Sequence, residues 1–141
     1  MRVRGYASVF GNQDLSSEVI DRGAFSDWIA KNPDKQLPIF FNHSHIYNPD
    51  SLPIGVTTML RQDRRGLYFE GELNDTTQAN EVKSVLATSG RMEASFAFYV
   101  DTDEVKKSVR HLKAVSPFEI TAANWGVNPK AYIEAVPELE E

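Results

Sequence analysis

Residues 90–100, Gly-Arg-Met-Glu-Ala-Ser-Phe-Ala-Phe-Tyr-Val, constrain the fold more than any other stretch. Successive residues of a strand face opposite sides, so Met92, Ala94, Phe96, Phe98 and Val100 make an unbroken apolar face that needs a core to cover it. Glu93, Ser95, Ala97 and Tyr99 share the other face. Ser95 therefore has the small Ala97 next along a side that burial does not demand, and the small Ala94 before it in the chain. A rigid backbone, an accessible oxygen and little bulk beside it suit a nucleophilic hydroxyl. They equally describe an ordinary strand serine.

The rest of the chain supplies partners for that strand. Residues 3–10 alternate as a strand, and Gly11-Asn12-Gln13-Asp14 is turn chemistry. Glu18-Val19-Ile20 is a short extended piece. Ala24, Phe25, Trp28 and Ile29 recur at helical spacing, and Asn32-Pro33 stops that helix. Residues 37–42 read as a strand ending in His43-Ser44-His45, with a polar loop over 47–51. Residues 54–60 and 67–73 flank a turn and form a hairpin. Asp75 is a candidate helix cap with Gln78 as its capping-box partner, and Gly90 closes that helix. Asp101-Thr102-Asp103-Glu104 reads as a solvated turn. Residues 109–121 make one bent strand or two short ones, with Pro117 at the bend. Residues 124–129 form a structured turn and 131–136 the last strand. The expected fold is a β-rich α+β domain: a small closed or partly open β-barrel of about seven strands with two or more helices packed outside. A chain of 141 residues fits a single domain, 1–141, with the acidic end 137–141 frayed.

Charge and composition remove several classes of function. The net charge is -5 with no basic block, which argues against a phosphate-contacting nucleic-acid surface. There are no cysteines, so neither disulfides nor thiolate chemistry is available. No apolar run approaches the roughly 20 residues of a membrane helix. Met1-Arg2-Val3-Arg4-Gly5-Tyr6 lacks the apolar core of a secretory signal, so a soluble intracellular protein is expected.

Three residues could together activate a hydroxyl. His43 ends an apolar strand, Ser95 sits mid-strand, and Glu119 lies between Phe118 and Ile120. A serine needs a base within hydrogen-bond reach, and the base needs a third group to fix its tautomer and stabilise its cation. Each residue also has a plainer reading: a loop histidine, a strand serine, a surface glutamate. His43 and His45, completed by His111 or Asp50, could alternatively hold a metal.

The order of short motifs resembles the caudovirus prohead protease family, capsid-maturation serine peptidases related in fold to herpesvirus assemblin. The resemblance rests on residues 4–12, on Glu18-Val19-Ile20 followed by Gly23-Ala24-Phe25, and on Phe40-Phe41-Asn42-His43. It continues through Pro53-Ile54-Gly55, Arg65-Gly66-Leu67, Glu93-Ala94-Ser95-Phe96-Ala97-Phe98, and Phe118-Glu119-Ile120-Thr121 with Asn128-Pro129. Ala97 stands where the family often has glycine, and residues 122–127 depart from its usual pattern. The resemblance implies an assemblin-like barrel, His43 as base and Ser95 as nucleophile. Glu119 holds the third place, with His111 as rival and His45 as rival base. The backbone amides of 124–126 are the candidates for the oxyanion hole. The implied activity is serine-type endopeptidase cleavage of scaffold, or of the scaffold-like part of the major capsid protein, inside the assembling prohead in the host cytoplasm. No cofactor, metal, nucleic acid or membrane is expected, and relatives in the assemblin group act as homodimers. Two other readings stand beside this one: a non-catalytic capsid-assembly barrel, and a metal-dependent hydrolase using His43, His45 and His111.

Overall fold

The structure, a computed structural model, describes residues 1–126 and 128–137. The expected fraying of 137–141 falls almost wholly outside the described residues. Eight strands are present among them: β1 (Arg2–Val9), β2 (Glu18–Ile20), β3 (Pro38–Phe41), β4 (Gly55–Gln62), β5 (Gly66–Leu73), β6 (Arg91–Lys106), β7 (Val109–Ala123) and β8 (Tyr132–Ala135). Seven of them close a ring in the order β7-β3-β4-β5-β1-β8-β6, shut by pairing of β6 with β7. The eighth, β2, lies outside the ring, parallel to β7. β3 also runs parallel to β7, so the barrel is mixed. Closure leaves no exposed edge along the ring and gives the apolar faces one shared interior. Val3, Ile39, Phe69, Ile120 and Ile133 fill it.

The strand read first behaves as its alternation requires. Ala94 is fully buried, and Met92, Phe96, Phe98 and Val100 pack against the core. The strand is longer than expected. Residues 101–104 continue β6, and the chain reverses at Lys107 and Ser108, both at positive φ. Their polar sequence forms strand because partners across the ladder take up the side chains: Arg110 donates to Asp103 at 2.7 Å, and Ser116 to Asp101 at 2.6 Å. β7 is one strand rather than two. Its register with β6 slips between Ala97, opposite Glu119, and Phe98, opposite Pro117. This bulge falls beside the proline, which has no N–H for the ladder.

Three helices pack on the barrel: α1 (Ser26–Lys31), α2 (Ser44–Tyr47) and α3 (Thr77–Ser89). In α1 the burial comes just ahead of the helix, at Ala24 and Phe25, rather than from the helix itself. α2 occupies part of the stretch read as strand end and loop. The cap of α3 is Thr76, whose side chain accepts the Ala79 N–H, and not Asp75, which instead takes an amide hydrogen bond from Asn80. Ala79, Val82 and Leu86 face the barrel while Val85 is half exposed, and Gly90 ends the helix at φ 83°. No helix among the described residues is long and apolar enough to cross a membrane.

Candidate active site

The site is built on the outer face of the β6–β7 pair. Residues directly opposite on paired strands share a face. Ala94 pairs with Ala122 and Phe96 with Ile120, all turned to the core. Ser95 pairs with Thr121 and Ala97 with Glu119, so Ser95, Thr121 and Glu119 lie on the opposite side of the same ladder. Outward direction does not mean exposure: Thr121 is fully buried and Glu119 is 1% exposed. The Phe41–Tyr47 segment covers them. This corrects the reading of Glu119 as a surface carboxylate.

The covering segment is held by its backbone and by the Asn42 side chain. Asn42 donates to the Ala122 carbonyl, the His43 N–H to Thr121 Oγ1 at 2.9 Å, and the Asn124 N–H to Asn42 Oδ1 at 3.1 Å. Asn42 and His43 both adopt the left-handed region, φ 49° and 50°. Asparagine and histidine are among the non-glycine residues found most often in this region, and the surrounding bonds hold both there. The result hangs both imidazoles over the buried carboxylate. His43 Nδ1 lies 2.8 Å from Glu119 Oε1, and His45 Nε2 lies 2.8 Å from Oε2. An ionised carboxylate only accepts, so both rings donate to it. A neutral His43 in this contact is the Nδ1–H tautomer, with a lone pair on Nε2. Two N–H partners make burial of the carboxylate tolerable. The His45 ring packs against Phe40, centroids 4.6 Å apart, and Phe118.

His43 and Ser95 line one cavity of about 170 Å³, with the end of β1 and the loop into β2 forming its other wall. His43, hydrogen-bonded to Glu119, and the half-buried Ser95 thus border the same cavity. The sequence profile of the family described as caudovirus prohead serine protease matches residues 1–141. The chain belongs to that family.

A relative in the family, the prohead protease of Enterobacteria phage HK97, is 30% identical over 140 residues, covering 96% of this chain and 60% of its own length. The chain therefore spans well under two thirds of that relative. The fold matches solved herpesvirus proteases. The KSHV protease in complex with a hexapeptide phosphonate inhibitor superposes with TM-score 0.58 at 15% identity, over 96% of this chain and 65% of that one. The varicella-zoster virus protease gives 0.55 at 15% identity, over 98% and 65%. The assemblin-like barrel is thereby shown, with β2 as one strand beyond the closed seven.

Within this family frame the other sequence candidates separate. His111 is not near Glu119; its Nδ1 bonds Asp21 Oδ1 at 2.9 Å, beside the pairing of β2 with β7. Burial alone would raise the Asp21 carboxyl, but hydrogen bonds from Lys113 and His111 outweigh it and hold Asp21 below the ordinary range. The metal-type grouping among the described residues is His43, His45 and Glu119, without His111 or Asp50. Their contacts of 2.8 Å are hydrogen-bond separations, whereas two tetrahedral zinc ligands stand about 3.4 Å apart. The expectation for oxyanion amides fares poorly at two of its three positions: the Asn124 N–H is spent on Asn42 and the Gly126 N–H on Glu93 Oε1 at 3.2 Å. His45 as a second partner of Glu119 was not anticipated. Its place two residues after His43 was the available signal.

Proposed function

We propose that the chain is the serine endopeptidase of phage capsid maturation, with Ser95 as nucleophile, His43 as general base and Glu119 as the residue that orients it. The observation that supports this most directly is the His43–Glu119 contact at 2.8 Å in a ring that shares its cavity with Ser95. Glu119 accepts the Nδ1 proton and leaves Nε2 free to take the Ser95 proton as Oγ attacks a peptide carbonyl. The imidazolium then protonates the leaving amine, giving an acyl-enzyme on Ser95. Water, deprotonated by the same nitrogen, hydrolyses it and restores the serine. His45 holds the second carboxylate oxygen, so Glu119 cannot swing away from His43.

The substrates proposed from family membership are scaffold and the scaffold-like part of the major capsid protein, cut within the prohead in the host cytoplasm. A homodimer is part of the proposal, and sedimentation checks it.

The test is labelling by a fluorophosphonate together with cleavage of co-expressed capsid protein. Wild-type protein should label at Ser95 and cleave. Ser95→Ala should do neither while keeping its melting temperature. A protein that takes no label is a binding barrel instead, and cleavage that survives Ser95→Ala removes this nucleophile. Activity abolished by a chelator would favour a metal hydrolase.

A further inference from the structure

We propose that the cavity beside Ser95 receives the substrate side chain immediately N-terminal to the scissile bond, and that this side chain is lysine. The proposal rests on the serine-peptidase reading of the same site. Three features of the cavity select the occupant.

Its size comes first. About 170 Å³ is room for about five or six water-sized groups, which is close to a lysine side chain. Second, its walls change character with position. Ala7, Ile20, Phe96 and Phe98 offer apolar surface to an aliphatic stem. Ser8, on the same lining, is 2% exposed, and its Oγ is buried with no hydrogen-bond partner. A buried hydroxyl left unpaired is unusual in a folded protein and calls for a ligand or a water. An ammonium is a pure donor and would satisfy it.

The third feature is charge. Asp14 and Glu18 line the cavity, and no lysine or arginine does so among the described residues. Asp14 is fixed in the wall because its Oδ1 accepts the N–H groups of Ser16 and Glu18, at 2.8 and 3.0 Å. Glu18 is bonded to Arg110 at 2.8 Å, but that guanidinium also serves Asp103 at 2.7 Å. Arg110 is thus shared between Glu18 and Asp103 from outside the lining, while the lining itself carries two carboxylates, Asp14 and Glu18, and no lysine or arginine. A glutamate or aspartate substrate side chain would meet repulsion there, and a neutral apolar one would leave Ser8 unpaired.

The experiment uses peptidyl diphenyl phosphonates that differ only in the residue next to phosphorus: lysine, norleucine, glutamine or glutamate. Ser95 Oγ forms the phosphorus–oxygen bond, and phenol leaves with the serine proton. The lysine compound should inactivate the protein at least tenfold faster than norleucine, with glutamate slowest. Ser8→Ala and Asp14→Asn should each shrink the lysine-to-norleucine ratio, a ratio that partial loss of folded protein does not change. Equal rates for lysine and norleucine overturn the proposal, as does a ratio untouched by both substitutions. A parallel fluorophosphonate reaction separates the two levels. Labelling without lysine preference removes the pocket assignment alone, whereas absence of labelling removes the nucleophile.

Discussion

At the scale of single residues the site turns on one carboxylate with two imidazoles. Replacing His45 with Phe leaves Glu119 Oε2 buried without its donor, a loss of about 1–3 kcal/mol or more for a charged acceptor. The expected outcome is a lower melting temperature and a reduced kcat. His45→Gln, which keeps an N–H donor, should recover most of both; equal behaviour of the two variants would mean that the contact at 2.8 Å contributes nothing. Glu119→Gln should cut kcat by on the order of 10³–10⁴, because the amide's N–H₂ can hold His43 in the wrong tautomer. The outward face of Ser95 and the strand-end place of His43 were legible in the sequence, through alternation and the end of an apolar run. The environment of Glu119 was not, because the residues that bury it lie 76 and 74 positions away along the chain. The buried Ser8 was equally hidden, since nothing in a strand pattern distinguishes a covered hydroxyl from a solvated one.

At the scale of elements, the strands announced themselves and their ends did not. The 101–104 stretch looks like a turn by composition, yet ion pairs and hydrogen bonds across β6 and β7 keep it extended, a tertiary effect that local propensity cannot register. The α3 cap shows the same limit on a smaller scale: Asp75 and Thr76 are both good caps, and only the chain path selects Thr76. Thr76→Ala should therefore cost about 1 kcal/mol in chemical denaturation, with Asp75→Ala costing less. Reversal of that order would place the helix start one residue earlier.

The barrel as a whole depends on polar clusters as well as on its core. Burial raises the Tyr6 hydroxyl, and its hydrogen bond to Asp63 adds to this, pushing it to about 12. Tyr68, half-buried and bonded to Glu70, is likewise pushed to about 12. Groups raised in the folded state stabilise it below the ordinary tyrosine value of about 10 and lose that contribution as pH climbs toward 12. Thermal stability should fall through that window, and Tyr6→Phe should flatten the fall; an unchanged slope would detach Tyr6 from it. Closure of seven strands was foreseeable from their number and patterning, but the separate position of β2 was not, because three residues carry no signal of which edge they join. That position has a consequence for the cavity beside Ser95. The ring closes without any help from this appended strand, yet through Glu18 and Ile20 it furnishes part of the wall of the cavity that His43 and Ser95 line. If the proposed peptidase reading holds, changes at Glu18 should alter which side chain the cavity accepts, while Ile20 keeps the strand anchored in the core and the ring itself is untouched.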